Sequence, residues 1–131
     1  MEKTVILCVD DEKLILNSIK AQLKEYYGNS FLYETAESAL EAFDIIDEVM
    51  QDPPTKLIII SDWLMPEIKG DEFLIKVHSK YPNSLKIMLT GQADFESIKK
   101  VETEGNLFKC IQKPWVKSEL ISCIDSGMLL I

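Results

Sequence analysis

The chain's 131 residues, 47% hydrophobic and 27% charged, suit one compact domain and lie far from the low-hydrophobicity composition of disordered chains. The formal net charge of −8 at pH 7 repels phosphate backbones, and no Lys/Arg cluster offsets it locally, which argues against direct nucleic-acid binding. No apolar run approaches the ~18 residues needed to cross a bilayer, and the opening Met1-Glu2-Lys3-Thr4 lacks the layout of an export signal, so a cytoplasmic protein without membrane contact is expected.

In chain order, residues 5–9 (Val-Ile-Leu-Cys-Val) are a short apolar run that reads as a strand buried on both faces. Leu16, Ile19, Leu23 and Tyr26 then recur at helical spacing. Residues 31–35 are a weaker, more polar strand candidate, which suits an edge position. Ala39, Leu40, Phe43 and Ile46 mark a second helix, with Ser38 and Glu41 spaced as a capping box, and Pro53-Pro54 separates it from a third strand at 57–60. Phe73, Leu74 and Val77 stripe a third helix that stops at Tyr81-Pro82-Asn83. A strand at 85–89, a weak helical stripe at Ile98 and Val101, a strand at 107–111 and a helix striped by Leu120, Ile124 and Met128 complete five βα units. Cys8, Cys110 and Cys123 are odd in number, widely spaced and each inside an apolar run, so they read as reduced core thiols.

Strict alternation of this kind implies a parallel sheet with right-handed crossovers and helices on both faces. Five units favour the flavodoxin-like strand order 2-1-3-4-5, in which ligands bind outside the carboxyl ends of the strands, at the switch point between the first and third. The residues following the strands therefore matter most. They are Asp10-Asp11-Glu12, Ser61-Asp62, Thr90-Gly91 and Gln112-Lys113-Pro114. Neighbouring first and third strands would crowd Asp10, Asp11 and Asp62, and such carboxylates repel unless protonated or bridged by a cation. Mg²⁺, a hard ion that uses one or two carboxylates plus phosphate oxygens, is the expected remedy, and no EF-hand spacing points to calcium. An acidic rim with one Thr and one Lys suits phosphoryl transfer, with Asp62 as nucleophile, Mg²⁺ and Lys113 balancing charge, Thr90 donating a hydrogen bond and Gly91 leaving room for the donor. Glu12 reads as an exposed first-turn residue and His78 as a surface residue of the third helix.

Val-Asp-Asp-Glu (9–12), Asp-Trp-Leu-Met-Pro-Glu-Ile-Lys-Gly (62–70), Leu-Thr-Gly-Gln (89–92) and Lys-Pro-Trp (113–115) resemble, in order and over essentially the whole chain, the receiver domains of two-component response regulators, with their CheY-like fold. The resemblance implies that Asp62 is the phosphoacceptor for a sensor histidine kinase or phosphotransfer protein. It makes Asp11 a direct Mg²⁺ ligand, Asp10 a ligand mainly through water, and the Leu64 backbone carbonyl a third protein ligand. Thr90 becomes the switch hydroxyl and Lys113 the partner of the phosphoryl group, with a cis Lys113-Pro114 bond. Pro66 and Gly70 would shape the loop after Asp62, and Asp71 or a neighbour would open the third helix. Residues 1–131 would form the receiver, controlling an output domain or effector outside this segment through the fourth helix, fifth strand and fifth helix. The activity would be confined to its own phosphorylation and dephosphorylation, so the protein is a signalling domain and not an enzyme in the ordinary sense. Kinase docking would involve Leu14, Ile15 and Ser18 and the loop at Pro114-Trp115, and the apolar end Met128-Leu129-Leu130-Ile131 is compatible with a homodimer.

The chain departs from the family where an aromatic residue usually stands three positions before the lysine. Here it is Cys110, and Phe108, two residues earlier and on the same face of a strand, is the expected partial substitute. Leu64 and Gln92 occupy positions that modulate phosphate lifetime in the family. Three other readings compete: a pseudo-receiver that binds without being phosphorylated, a haloacid-dehalogenase-like phosphatase with Asp10 as nucleophile, and a flavodoxin-like flavin carrier. The second would want an Asp where Glu12 stands, and the third would bring a flavin phosphate against an acidic loop.

Overall fold

The computed structural model describes residues 2–53 and 55–131; Pro54, half of the expected Pro53-Pro54 separator, lies outside the described residues, as does Met1. The elements are β1 (Lys3–Val9), α1 (Lys13–Tyr27), a 3-10 turn (Gly28–Ser30), β2 (Leu32–Ala36), α2 (Ala39–Val49), β3 (Thr55–Ser61), α3 (Gly70–Lys80), β4 (Leu85–Leu89), α4 (Phe95–Glu104), β5 (Lys109–Ile111) and α5 (Lys117–Met128). All pairings are parallel, in the order β2-β1-β3-β4-β5, the flavodoxin-like arrangement expected.

Two apolar layers sandwich the sheet, because alternate residues of the central strands point to opposite faces. Val5, Leu7, Val9, Leu57, Ile59 and Met88 pack under α2, α3 and α4, with Phe73, Leu74 and Val101 from the helices. Ile6, Cys8, Ile58, Ile60, Ile87 and Leu89 pack against α1 and α5, with Leu16, Ile19, Leu23, Leu120 and Ile124. Burial of both faces is what keeps the runs continuously apolar. The edge strand β2 is the polar one, as anticipated.

Several stripes need correction. Tyr26 is exposed, and Tyr27 turns inward instead. Its ring lies 4.5 Å from that of Phe31, and its hydroxyl donates to Asp125 Oδ1 at 2.7 Å, tying α1 to α5. In α2, Leu40 is half exposed while Ala42 is fully buried, because Phe43 and Ile46 already fill the space toward α3. The capping box is half formed. Ser38 Oγ accepts from the Glu41 N–H at 3.1 Å, but the Glu41 carboxylate reaches the Glu37 N–H and not that of Ser38.

The fifth strand is shorter than the expected 107–111, and this overturns the role given to Phe108. Asn106 turns the chain at φ +52°, and Phe108 donates its N–H to the Lys86 carbonyl (2.8 Å) before β5 begins. Strand alternation therefore does not extend back to residue 108. Phe108 packs with the α1/α5 layer, whereas Cys110 packs with the α4 layer, so the ring does not replace the missing aromatic.

Candidate functional site

The ladder hydrogen bonding runs past the strand ends and fixes the rim. Asp62 donates its N–H to the Val9 carbonyl (2.9 Å) and Asp10 to that of Ala36 (3.1 Å). Thr90 donates to Ile111 (3.0 Å) and Lys113 to Thr90 (3.3 Å). Four residues from four strand ends are thereby held side by side by main-chain geometry. Gly70 closes the loop after β3 over them. Its N–H reaches the Trp63 carbonyl at 2.7 Å, and a Cβ there would sit 2.1 Å from the Asp62 carbonyl oxygen, so only glycine permits the approach. The third helix starts at Gly70 itself, with Asp71 in its first turn and no side-chain cap.

One carboxylate oxygen from each of Asp10, Asp11 and Asp62 lies within 4.8 Å of the others. Asp10 and Asp62 are buried, as is Thr90, while Asp11 is exposed. Lys113 Nζ stands 2.7 Å from Asp10 Oδ2 and 3.5 Å from Asp62 Oδ2. The peptide bond from Lys113 to Pro114 is cis. Asp10 Oδ1 accepts from the Glu12 N–H (2.9 Å), and Asp62 Oδ1 from the Trp63 N–H (2.8 Å). Thr90 Oγ1 accepts from the Gln92 N–H at 3.3 Å.

A cleft of about 360 Å³ opens over these groups, with Asp62, Leu64, Thr90, Gln92 and Lys113 in its lining. Glu12 also lines it, so that residue is closer to the chemistry than a solvated first-turn position implied. A larger hollow, about 470 Å³ beside Tyr81, Pro82 and Ser84, lies below the opposite, amino ends of the strands and gathers no comparable set of carboxylates.

Electrostatics follow from burial and neighbours. Burial lifts the Asp62 carboxyl above its usual range; Lys113, the Thr90 hydroxyl and the Trp63 N–H pull it back, and Asp10 pushes it further up. Burial opposes the Lys113 charge, but the Asp10 hydrogen bond and the Asp62 and Asp10 carboxylates outweigh it and hold the ammonium above its ordinary pKa. Three carboxylates against one ammonium leave excess negative charge in a partly dry site. An all-oxygen donor set of this kind, without a thiol or imidazole in the group, fits a hard divalent cation such as Mg²⁺.

The expected docking residues also converge. Leu14 and Ser18 are exposed and Ile15 partly so. Trp115 bridges to α1 by donating from Nε1 to Gln22 Oε1 at 2.7 Å. His78 stands apart from the acidic group, half-buried rather than on the surface, with burial and the Lys86 ammonium lowering its pKa. The three cysteines are free, and burial pushes the Cys8 thiol up to about 12. Among the described residues, no helix is long and apolar enough to cross a membrane. Two features escaped the sequence reading: Lys86, fully buried on β4, and Lys69, whose Nζ stands 4.9 Å over the Trp63 ring. A lysine inside an apolar strand was the available signal for the first; nothing in the sequence pointed to the second.

The profile of the response regulator receiver domain matches residues 6–125. The chain is similar to the hydrogenase transcriptional regulatory protein HoxA of Cupriavidus necator, at 30% identity over 127 residues covering 97% of this chain and 24% of that protein. It thus spans about a quarter of the length of such curated relatives. Among solved structures, it resembles the signal receiver domain of an HD domain-containing protein from Pseudomonas fluorescens Pf-5, with a TM-score of 0.84 at 25% identity over 97% of this chain and 88% of that one. The beryllofluoride-activated receiver domain dimer of NtrC4 is similar with a TM-score of 0.78, 27% identity and 94% of each chain covered.

Proposed function

The chain belongs to the response regulator receiver family of two-component signalling, and we propose that its phosphoacceptor is Asp62, charged from a phosphohistidine of a sensor kinase or phosphotransfer protein. The observation that carries this choice is the unequal engagement of the carboxylates. Both Asp10 oxygens are held at close hydrogen-bond distance, by the Glu12 N–H and by Lys113, whereas Asp62 has one oxygen held by the Trp63 N–H and the other 3.5 Å from Lys113, with the Thr90 hydroxyl acting on the same carboxyl. That asymmetry also speaks against a phosphatase with Asp10 as nucleophile.

The Asp11 and Asp62 carboxylates and the Leu64 carbonyl, with Asp10 acting mainly through water, would hold Mg²⁺, which would supply neutralising charge for the phosphoryl oxygens. Asp62 attacks phosphorus with its second oxygen, the P–N bond breaks, and its electron pair leaves with the imidazole, which takes a proton from water. Lys113 moves from Asp10 toward one phosphoryl oxygen, and the Thr90 hydroxyl donates to another. Gly91 lines the cleft beside Lys113 and adds no side chain to it. The added charge draws Thr90 and Lys113 inward and shifts the α4-β5-α5 surface, through which the domain (residues 1–131) controls an output domain or effector, or pairs with a second copy. Catalysis is limited to the domain's own phosphorylation and dephosphorylation.

Intact mass after incubation with acetyl phosphate tests the assignment. A gain of one phosphoryl group that requires Mg²⁺ and disappears in Asp62→Asn is expected; a gain that persists in Asp62→Asn would place the acceptor on another residue, and no gain together with no beryllofluoride response would overturn the assignment in favour of a receiver fold that binds without being phosphorylated.

A further inference from the structure

Trp63 follows the acceptor and packs on the apolar layer that also carries the start of α4, a placement the phosphotransfer chemistry does not use. Its N–H holds Asp62 Oδ1 and its carbonyl accepts from Gly70, so its backbone is pinned from both sides. The indole is half-buried against the layer beneath α3 and α4, the same layer on which Ala93 and Ile98 pack. Lys69 caps the ring at 4.9 Å, a cation–π distance. Asp94, the N-cap of α4, accepts from the Ser97 N–H at 2.7 Å, and that bond, with Lys69 nearby, holds its carboxyl below the usual range. Lys69 thus sits over the ring of the residue after the acceptor, and its charge is felt at the residue that caps α4. The indole Nε1 is buried and has no hydrogen-bond partner among the described residues. A buried donor left unpaired costs free energy that a second packing with an acceptor recovers, so the resting arrangement holds a local reason to change.

We propose that Trp63, clamped by Lys69, is a positioning residue that transmits the loading of Asp62 to the N-terminal turn of α4, its indole N–H gaining an acceptor when that turn shifts. The inference rests on Asp62 being the acceptor. It assigns to this loop the coupling that neither Cys110 nor Phe108 is placed to provide.

The test is nuclear magnetic resonance on the full chain with Mg²⁺, without and with beryllofluoride, reading the Trp63 indole N–H and the amides of 94–101, while intact mass with acetyl phosphate reports phosphorylation of Asp62. In the wild type the indole resonance moves downfield on loading, together with the α4 amides. Trp63→Phe keeps a ring but lacks the N–H, and Lys69→Gln lacks the cation. Lys69→Gln should load Asp62 within about threefold of wild type, and in both variants the α4 response per loaded molecule should fall by about half or more. Lys69→Arg, which retains a cation over the ring, should restore it. Loading accompanied by an undiminished α4 response in both variants overturns the inference alone; no loading of wild-type Asp62 overturns the functional reading with it.

Discussion

Lys86 offers the sharpest quantitative test of the structure, because it is a charge in the wrong place. It is the second residue of β4, fully buried, and among the described residues its Nζ donates only to the Ser84 carbonyl (2.7 Å) and Ser84 Oγ (3.2 Å). Burial alone pushes its pKa from 10.5 down to about 8. At ~1.4 kcal/mol per pH unit, the ionised amine costs the native state about 3 kcal/mol at neutral pH. Lys86→Met keeps much of the length, removes the charge and gives up two hydrogen bonds together worth about 2 kcal/mol; Ser84 Oγ still donates to the Tyr81 carbonyl. The variant should therefore be more stable by about 1 kcal/mol near pH 7, with Tm raised by about 3 °C or more. The sign with pH is fixed by linkage. Because the folded pKa is depressed, the penalty is complete below about 8, shrinks as pH rises from there, and is gone above the unfolded value near 10.5. Urea unfolding of both proteins at about pH 7 and about pH 9.5 reads the difference, with shared titrations cancelling. A Met variant that is less stable at pH 7, or an advantage that does not change with pH, would refute the reasoning.

Four further outcomes follow from the same structure. Asp62→Asn should stabilise the fold by about 1 kcal/mol or more, since it removes a desolvated carboxylate facing Asp10. The raised Asp62 pKa means that the wild type loses stability as pH climbs through that value, and the Asn variant should lack this loss; scanning calorimetry across the acid range checks it. Mg²⁺ should raise the wild-type Tm, by about 2.7 kcal/mol of stability at a hundredfold excess over Kd, and raise that of Asp62→Asn less; equal shifts would remove Asp62 from the ligand set. Gly70→Ala should abolish or sharply reduce phosphorylation and destabilise by about 2 kcal/mol or more, because the Asp62 carbonyl occupies the Cβ position; normal acetyl phosphate turnover would show that the loop can open. Tyr27→Phe should lose about 1 kcal/mol with the Asp125 hydrogen bond, read by urea titration, and no loss would mean that water replaces it.

How much was legible depended on how local each signal is. The strands and the rim residues were readable because strand period and strand end are properties of adjacent residues, and the sheet order then follows from chain connectivity. Tyr26 and Tyr27 were confused because both fall near the buried side of the last turn, and only the position of Phe31 decides between them. Phe108 was misplaced because alternation was extended through a residue that the Asn106 turn removes from the strand. Lys86 went unremarked since its flanking residues already satisfied the strand pattern. The pairing of Lys69 with Trp63 brings two residues of one loop together through folding over Gly70, a relation without a sequence period.

The rim also explains why a small chemical event is able to shift this domain. Its main chain is held across β2-β1-β3 and β4-β5 by bonds to Ala36, Val9, Ile111 and Thr90, so the strand ends have little freedom to move. The freedom lies in side chains. Lys113 is already shared unequally between Asp10 and Asp62, and on the proposed reading phosphorylation adds about one to two charges on the Asp62 side of that contest. Lys113 then exchanges one buried acid for another and never becomes an unpaired cation, which would cost several kcal/mol. Because the resting and charged arrangements both keep the ammonium paired, the gap between them stays small enough for one phosphoryl group to reverse it. The same argument requires Asp10 to be neutralised when Lys113 leaves, and on the proposed reading a divalent cation beside Asp10 and Asp11 would serve the switch as much as the transfer.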